Sequence, residues 1–243
     1  MRIIKLSATE STNSYLKQLA AANSLSDFTV VTAREQTKGR GQVETVWESE
    51  AGKNLTFSIL KKYTGFGSQH HFLISICVSY AVYEVLSRLG VPRLSIKWPN
   101  DILSGTSKIC GILIENTIAG QEIKTSVIGI GLNVNQQSFL NGSKASSLGL
   151  LLDREIHLDT LLDALLDNLK RYLDHIERLD GGDMLKNYED VLFRNNIPAT
   201  FQEPNGLPFT GIIRGISRDG KLRVALEEDT LKEYALKEIK LMY

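Results

Sequence analysis

Apolar and polar positions along this chain change period often enough to predict its elements in turn. Residues 2–6 alternate weakly, as a short strand does. Ser11, Thr12 and Asn13 offer side chains that can cap a helix, and Tyr15, Leu16 and Leu19 then recur at helical spacing, extended by alanines at 20–22. Residues 28–32 are apolar and β-branched, and 54–60 (NLTFSIL) alternate; both read as strands. Residues 69–89 predict a long helix with Phe72, Ile76, Tyr80, Tyr83 and Leu86 on one face, stopped by Gly90-Val91-Pro92. Three strands are predicted next, at 94–98, 108–116 and 124–132, separated by SGTS and AGQE turns. Long strands joined by short turns predict an antiparallel or mixed sheet.

The clearest helical pattern runs over 158–179, with apolar residues at 158, 162, 165, 169, 172, 176 and 179. These steps of four and three also suit a heptad, but Leu161, Leu166 and Leu173 widen the stripe, as in a helix lying on a domain core. Gly181-Gly182 interrupts it, and a shorter helix is predicted near 183–193. From Asn195 onward prolines, glycines and Asn205 divide the chain into short β-like runs at 209–216, 222–226 and 231–235, with a hairpin turn at Arg218-Asp219-Gly220-Lys221. The expected organisation is a main domain over residues 1–194 and a small β-barrel or sandwich over 195–243.

Composition narrows the class. A chain of 243 residues buries roughly 70–75% of its unfolded surface, so a real core is available. Charged residues make up 23% and hydrophobic ones 42%, ordinary for a soluble globular protein. The formal net charge is zero, against a general nucleic-acid binder, so a cationic loop here is aimed at a small anion. Cys77 and Cys110 sit among apolar residues and read as buried reduced thiols of a cytoplasmic protein. No Cys/His cluster has metal-ligand spacing, the N-terminus does not read as a signal peptide, and charges interrupt every long apolar run, so no membrane span is expected.

The familiar nucleotide and hydrolase signatures are missing: there is no Walker A loop, no GxGxxG after a strand and no G-x-S-x-G elbow. Four other segments concentrate chemistry. In EQTKGRGQVETVW (35–47), glycines let backbone N–H groups approach a ligand, and Arg40 can grip a carboxylate or phosphate with two hydrogen bonds. In KWPND (97–101), Pro99 bends the chain so that Lys97, Asn100 and Asp101 can face one ligand. In KICGILIE (108–115), one lysine opens an apolar strand. In GIGLNVN (129–135), glycines permit close backbone approach and asparagines end the run. Each has an ordinary structural alternative: a solvated hairpin tip, a strand-end turn, a snorkelling lysine, a tightly packed strand.

Taken together, in this order and spacing, the segments resemble the biotin–protein ligases. The matching residues are Ser11-Thr12-Asn13, Gln36 with Gly39-Arg40-Gly41 and Trp47, KWPND at 97–101, Lys108 within KICGILIE, GIGLN at 129–133 and GIIRGISRDGKL at 211–222. The resemblance implies an α+β fold: a class II aminoacyl-tRNA synthetase-like mixed sheet flanked by helices, with a small C-terminal β-barrel. It implies that biotin and ATP, with Mg2+ held mainly by the ATP phosphates, form biotinyl-5′-AMP. Biotin then passes to a lysine of a biotin carboxyl carrier protein. Arg40 and Lys108 are implied as catalytic. Ser11, Thr12, Asn13, Gln36, Gly39, Arg40, Gly41, Gln42 and Lys108 are implied for biotin; Arg40, Trp47, Lys97, Asn100, Asp101, Asn133 and Arg214 are implied for ATP and the adenylate. Neither nucleic acid nor membrane is an expected partner, and a homodimer is left open. Two departures stand out. Many relatives read GRGRxGRxW where this chain reads GRGQVETVW, so Gln42 replaces an arginine and Glu44 a glycine; this implies weaker retention of the adenylate, or closure by another cation such as Lys38. The STN motif starting at Ser11 leaves no room for the N-terminal winged-helix repressor domain of some relatives, so DNA regulation is not expected. A lipoate–protein ligase and a non-catalytic biotin or adenylate sensor are the alternatives.

Overall fold

A computed structural model of the chain describes residues 1–42, 45–140, 144–178, 181–226 and 230–243. The first half contains β1 (Arg2–Thr9), α1 (Thr12–Ala22), β2 (Thr29–Gln36), β3 (Leu55–Lys62), α2 (His71–Arg88), β4 (Leu94–Lys97), β5 (Asp101–Ser104), β6 (Ser107–Ala119) and β7 (Glu122–Leu132). Three helices follow: α3 (Leu148–Leu152), α4 (Leu158–Leu173) and α5 (Gly181–Asp190). The chain ends in β8 (Pro198–Gln202), β9 (Pro208–Ile216), β10 (Leu222–Ala225), β11 (Leu231–Tyr234) and β12 (Lys240–Met242).

The first seven strands form one sheet in the order β1-β2-β3-β7-β6-β5-β4. β1 and β2 run parallel, with α1 as the crossover. The remaining pairs are antiparallel, which makes the sheet mixed as expected. The last five strands form an antiparallel sheet in the order β11-β10-β9-β8-β12. Its outer strands β11 and β12 do not pair among the described residues, so the expected barrel is an open sheet.

Several boundaries differ from the sequence pattern. KWPND is a hairpin between two strands: Lys97 and Asp101 are cross-strand partners, and Asp101 opens β5, which the Pro-Asn pair had concealed. α4 ends at Leu173, and the chain tightens into a 3-10 turn at Ile176–Arg178 that keeps Ile176 in the core; Leu179 lies outside the described residues. Ser11 occupies the N-cap position of α1, but its side chain makes no capping bond. α2 buries more than the predicted face, adding Ile74, Cys77, Val78, Ala81, Val82 and Val85, because α4 and α5 also pack against it. Tyr80 and Tyr83 are only half-buried and stack on each other with ring centroids 5.9 Å apart. β3 is buried on both faces instead of one, since it lies mid-sheet beneath α1.

One continuous apolar core joins the two sheets: Phe201, Ile213, Leu222 and Ile239 belong to the same cluster as Phe57, Phe72, Ile96 and Tyr188. Polar contacts reinforce the junction, with Trp98 Nε1 donating to the Gly220 carbonyl at 2.9 Å and the Ile216 N–H donating to Glu189 Oε1 at 2.7 Å. Cys77 and Cys110 are buried free thiols, and burial pushes the Cys77 thiol up to about 12. No helix among the described residues is long and apolar enough to cross a membrane.

Candidate active site

Strand order brings the four chemically dense segments together. β2 delivers Gln36 and the loop after it; β7 and β6 lie one and two strands beyond β3; the β4–β5 hairpin closes the far side. A cleft of about 350 Å³ opens there, lined by Ser11, Thr12, Asn13, Gln36, Arg40, Gly41, Gln42, Trp47, Lys97, Asn100, Asp101 and Lys108. Its floor is the sheet itself, where Gly111 of β6 and Gly131 of β7 are direct cross-strand partners. This pair leaves a bare patch on which Trp47 lies: a Cβ at Gly131 would stand 2.4 Å from Trp47 Cε2. The indole Nε1 is buried there without a partner among the described residues.

At the α1 end the polar groups divide into spent and unspent. Ser58, in the middle of β3, donates to Asn13 Oδ1 at 2.6 Å and lies 2.7 Å from Thr12 Oγ1. Asn13 Nδ2 in turn donates to the Leu113 carbonyl at 3.3 Å and to Glu115 Oε2 at 3.0 Å. Gln36 Oε1 accepts from the Thr12 N–H at 2.8 Å. Asn13 is therefore fully committed to scaffolding, while the Ser11 hydroxyl and the Gln36 Nε2 group have no hydrogen-bond partner among the described residues. Sequence reasoning missed Ser58 and the role of Glu115 as a hub. The available signals were a hydroxyl in an otherwise apolar strand and an acid closing one.

The cations stand along the middle of the cleft. Lys108 Nζ is 2.7 Å from Asp101 Oδ1 and 5.5 Å from the Trp47 ring centroid. Lys97 Nζ is 3.9 Å from Asp101 Oδ2. Burial holds Lys97 below the ordinary lysine range; Asp101 opposes that shift, and the nearby charges of Lys108 and Lys240 add to it. Arg40 reaches Glu115 Oε1 at 3.3 Å and Ser14 Oγ at 3.4 Å. Burial alone would raise the Glu115 carboxyl, but hydrogen bonds from Lys17 and Asn13 and the charge of Arg40 outweigh it and hold it below the usual carboxylate range. Asn100 Nδ2 donates to the Ile112 carbonyl at 2.6 Å, fastening the hairpin to β6.

Three expected residues do not line the cleft. Gly39 shapes the loop instead: its carbonyl accepts from the Trp47 N–H at 2.9 Å, and a Cβ there would meet Trp47 O at 2.2 Å. Asn133 is buried and ties β7 to the segment before α3 through Ser146 O at 3.1 Å. Arg214 is exposed on β9 and bonds Asn196 Oδ1 at 2.9 Å. Lys38 pairs with Glu10 at 2.7 Å and does not line the cleft; Glu44 lies outside the described residues. No group of three His, Cys, Asp or Glu among the described residues could hold a metal ion. Asp101, the one acid among the described residues that line the cleft, already faces two lysines. This donor set does not fit a protein-held Mg2+.

Comparison with known proteins gives a concordant picture. The sequence model of the Biotin/lipoate A/B protein ligase family matches residues 6–133. The chain is 30% identical over 226 residues to the bifunctional ligase/repressor BirA of Escherichia coli, covering 90% of this chain and 67% of that protein. It is 36% identical over 131 residues to a biotin–[acetyl-CoA-carboxylase] ligase of Paracoccus denitrificans, covering 53% of each. The match to the BirA of Bacillus subtilis spans 36% of that protein's length. Among solved structures, the biotin protein ligase of Aquifex aeolicus in complex with biotin and ATP superposes with a TM-score of 0.83 at 25% identity, covering 99% of this chain and 98% of that one.

Proposed function

This chain belongs to the Biotin/lipoate A/B protein ligase family, and from that membership we propose that it activates biotin with ATP and transfers it to a lysine of a biotin carboxyl carrier protein. The observation that carries the reading is that Arg40 and Lys108, far apart in sequence, line one cleft whose α1 end offers an unspent hydroxyl and amide. Biotin has a polar cyclic urea at one end and a carboxylate at the other, and the cleft has the matching order. Ser11 and Gln36 read the urea, with Thr12, Asn13 and Ser58 holding them in place. Gly41 and Gln42 cover the middle, and the cations meet the carboxylate.

Activation requires the carboxylate to attack the α-phosphorus of ATP, one anion approaching another. A unit-charge contact at 4 Å contributes about 4 kcal/mol at an effective dielectric near 20. Two cations therefore suffice to offset the repulsion and to stabilise charge on the phosphoryl oxygens. Each has a carboxylate partner, Arg40 in Glu115 and Lys108 in Asp101, so binding of the substrate anions exchanges one negative partner for another. Trp47 packs on the nucleotide base; Lys97, Asn100 and Asp101 line the phosphate side. As the carboxylate oxygen bonds to phosphorus, the bond to pyrophosphate breaks. The carrier's lysine amine then attacks the acyl carbon of the mixed anhydride and AMP leaves. No side-chain nucleophile takes part. Magnesium arrives with the ATP phosphates.

The test is incubation of the chain with ATP, Mg2+ and a biotin carrier domain, with biotin or lipoate supplied separately, followed by mass analysis of the carrier. A gain of one biotinyl group is expected. A gain with lipoate alone would reassign the substrate, and no gain with either would overturn the reading in favour of a sensor.

A further inference from the structure

Ser58 sits in the middle of β3 with no exposed surface, and it does not line the cleft. A hydroxyl buried in a sheet is costly unless it is hydrogen-bonded. This one meets Asn13 Oδ1 at 2.6 Å and Thr12 Oγ1 at 2.7 Å, both in the first turn of α1. Ser58 is also the cross-strand partner of Gly129, whose missing side chain leaves the room that Asn13 Oδ1 fills.

The direction of these bonds follows from the groups at their ends. The Leu113 carbonyl and the ionised Glu115 only accept, so they take the two Asn13 Nδ2 hydrogens and leave Oδ1 turned to Ser58. Oδ1 also only accepts, so the single Ser58 proton points at Asn13. Ser58 then has only lone pairs for Thr12, whose hydroxyl donates back to it at 2.7 Å, against 3.1 Å to Gln36 Oε1. The Thr12 backbone N–H, the first of the helix and without an intrahelical acceptor, goes to Gln36 Oε1 at 2.8 Å. That contact turns the Gln36 amide so that Nε2 is its free end. Ser11, at the N-cap position, is 4% exposed, lines the cleft and makes no capping bond. The α1 end of the cleft thus holds an N–H and an O–H free to donate, and their placement runs back through Thr12 to Ser58.

We propose that Ser58 is a positioning residue that gives the cleft its selectivity for a ligand carrying a urea over one carrying a dithiolane. The inference rests on the reading of the cleft as a biotin-activating site. The urea carbonyl is a strong acceptor for Ser11 and Gln36. The dithiolane of lipoate offers only weak sulfur acceptors, so it leaves both donors unpaired. A site built to hydrogen-bond one group rejects the analogue lacking it, because its own polar groups lose water without a replacement. Ser58 does not touch the ligand. It fastens the first turn of α1 to the sheet, and through that turn it sets where Ser11 and Gln36 stand. The cations that act on the carboxylate have anchors of their own, Arg40 in Glu115 and Lys108 in Asp101.

The experiment uses Ser58→Ala, which removes the hydroxyl, and Ser58→Cys, which nearly keeps its volume while weakening the donor. Both are made in the full chain, and far-UV circular dichroism verifies folding at the assay temperature. Ligand-dependent pyrophosphate release gives KM and kcat for biotin and for desthiobiotin, which keeps the urea. Lipoate, which lacks it, enters as a competitor. Ser58→Ala should raise KM for biotin and for desthiobiotin alike, by about tenfold or more, since hydrogen bonds to the urea are misplaced. Ser58→Cys should raise both by a smaller factor. kcat and KM for ATP should not move, as when only uniform binding is lost, and the inhibition constant of lipoate should not rise. An unchanged KM for biotin in folded Ser58→Ala would overturn the proposal. So would a Ser58→Cys that matches wild type, which would make volume and not the donor decisive. A fall in kcat with lipoate weakened equally would also overturn it, as a general loosening of the fold. Where Ser58→Ala does not fold, Ser58→Cys decides by the same split. A wild type that releases no pyrophosphate with either urea ligand would instead overturn the reading of the cleft, and the two failures are thereby distinguishable.

Discussion

A Cβ at Gly129 would stand 2.3 Å from Asn13 Oδ1, and Asn13 cannot yield because Ser58, Leu113 and Glu115 all hold it. Gly129→Ala should therefore destabilise the chain by about 1–3 kcal/mol, as overpacking does, with a lower urea midpoint and a raised KM for biotin. Lys108→Ala should slow adenylate formation by about a hundredfold or more with an unchanged thermal midpoint, read as biotin-dependent pyrophosphate release. Glu115 gives a pH dependence. Its folded carboxyl is held below the ordinary range, so its contribution to stability is present above that range and is lost as pH falls through the folded value. The gap in thermal midpoint between wild type and Glu115→Ala should thus be widest near neutral pH and close on acidification; a constant gap would show that the ion pairs with Lys17 and Arg40 contribute nothing. Residue identities such as Arg40 and Lys108 were legible in the sequence. That Asn13 is spent while Ser11 and Gln36 are free was not, because hydrogen-bond partners are chosen across strands.

At the scale of elements, the turn between β9 and β10 carries the junction between the sheets. Gly220 has φ +90° and a Cβ there would meet the Phe72 ring at 2.4 Å; Gly90, after α2, has φ +86° and open space around it. Both positions penalise an L side chain, so Gly90→Ala should cost about 1 kcal/mol. Gly220→Ala adds a clash and disturbs the Trp98 bond, so it should cost about 2–4 kcal/mol in total. Comparing the two urea midpoints tests whether the junction, and not the turn alone, is at stake. Long elements with a strong period, such as α2, α4, β6 and β7, were legible. β5, β8 and β12 were not: β5 follows a Pro-Asn pair that looks like a stop, and strands of three to five residues carry too few positions to show a period.

At the scale of the whole molecule, strand pairing and core packing draw different boundaries. We propose a division between 194 and 195, because no strand pairs across it among the described residues. The apolar cluster nevertheless runs through both parts. The chain should therefore unfold in one transition, with coincident curves by far-UV circular dichroism and by tryptophan fluorescence; two separated transitions would make the C-terminal sheet an independent domain.

The sequence by itself determined what is local: the helical and strand periods, the glycines that admit a close neighbour, and the identity of the charged side chains. It also carried the family pattern, since that pattern is an order of residues along a chain. Only the tertiary structure decided which charges meet. Arg40 and Lys108 share a cleft because β2, β3, β7 and β6 lie side by side in that order, and strand order is a property of distant segments burying one core. The same cause placed Lys240 beside Lys97 and Arg214 beside Asn196, because packing of the last strands against the rest of the molecule fixed which tail cation lies near the β4–β5 hairpin.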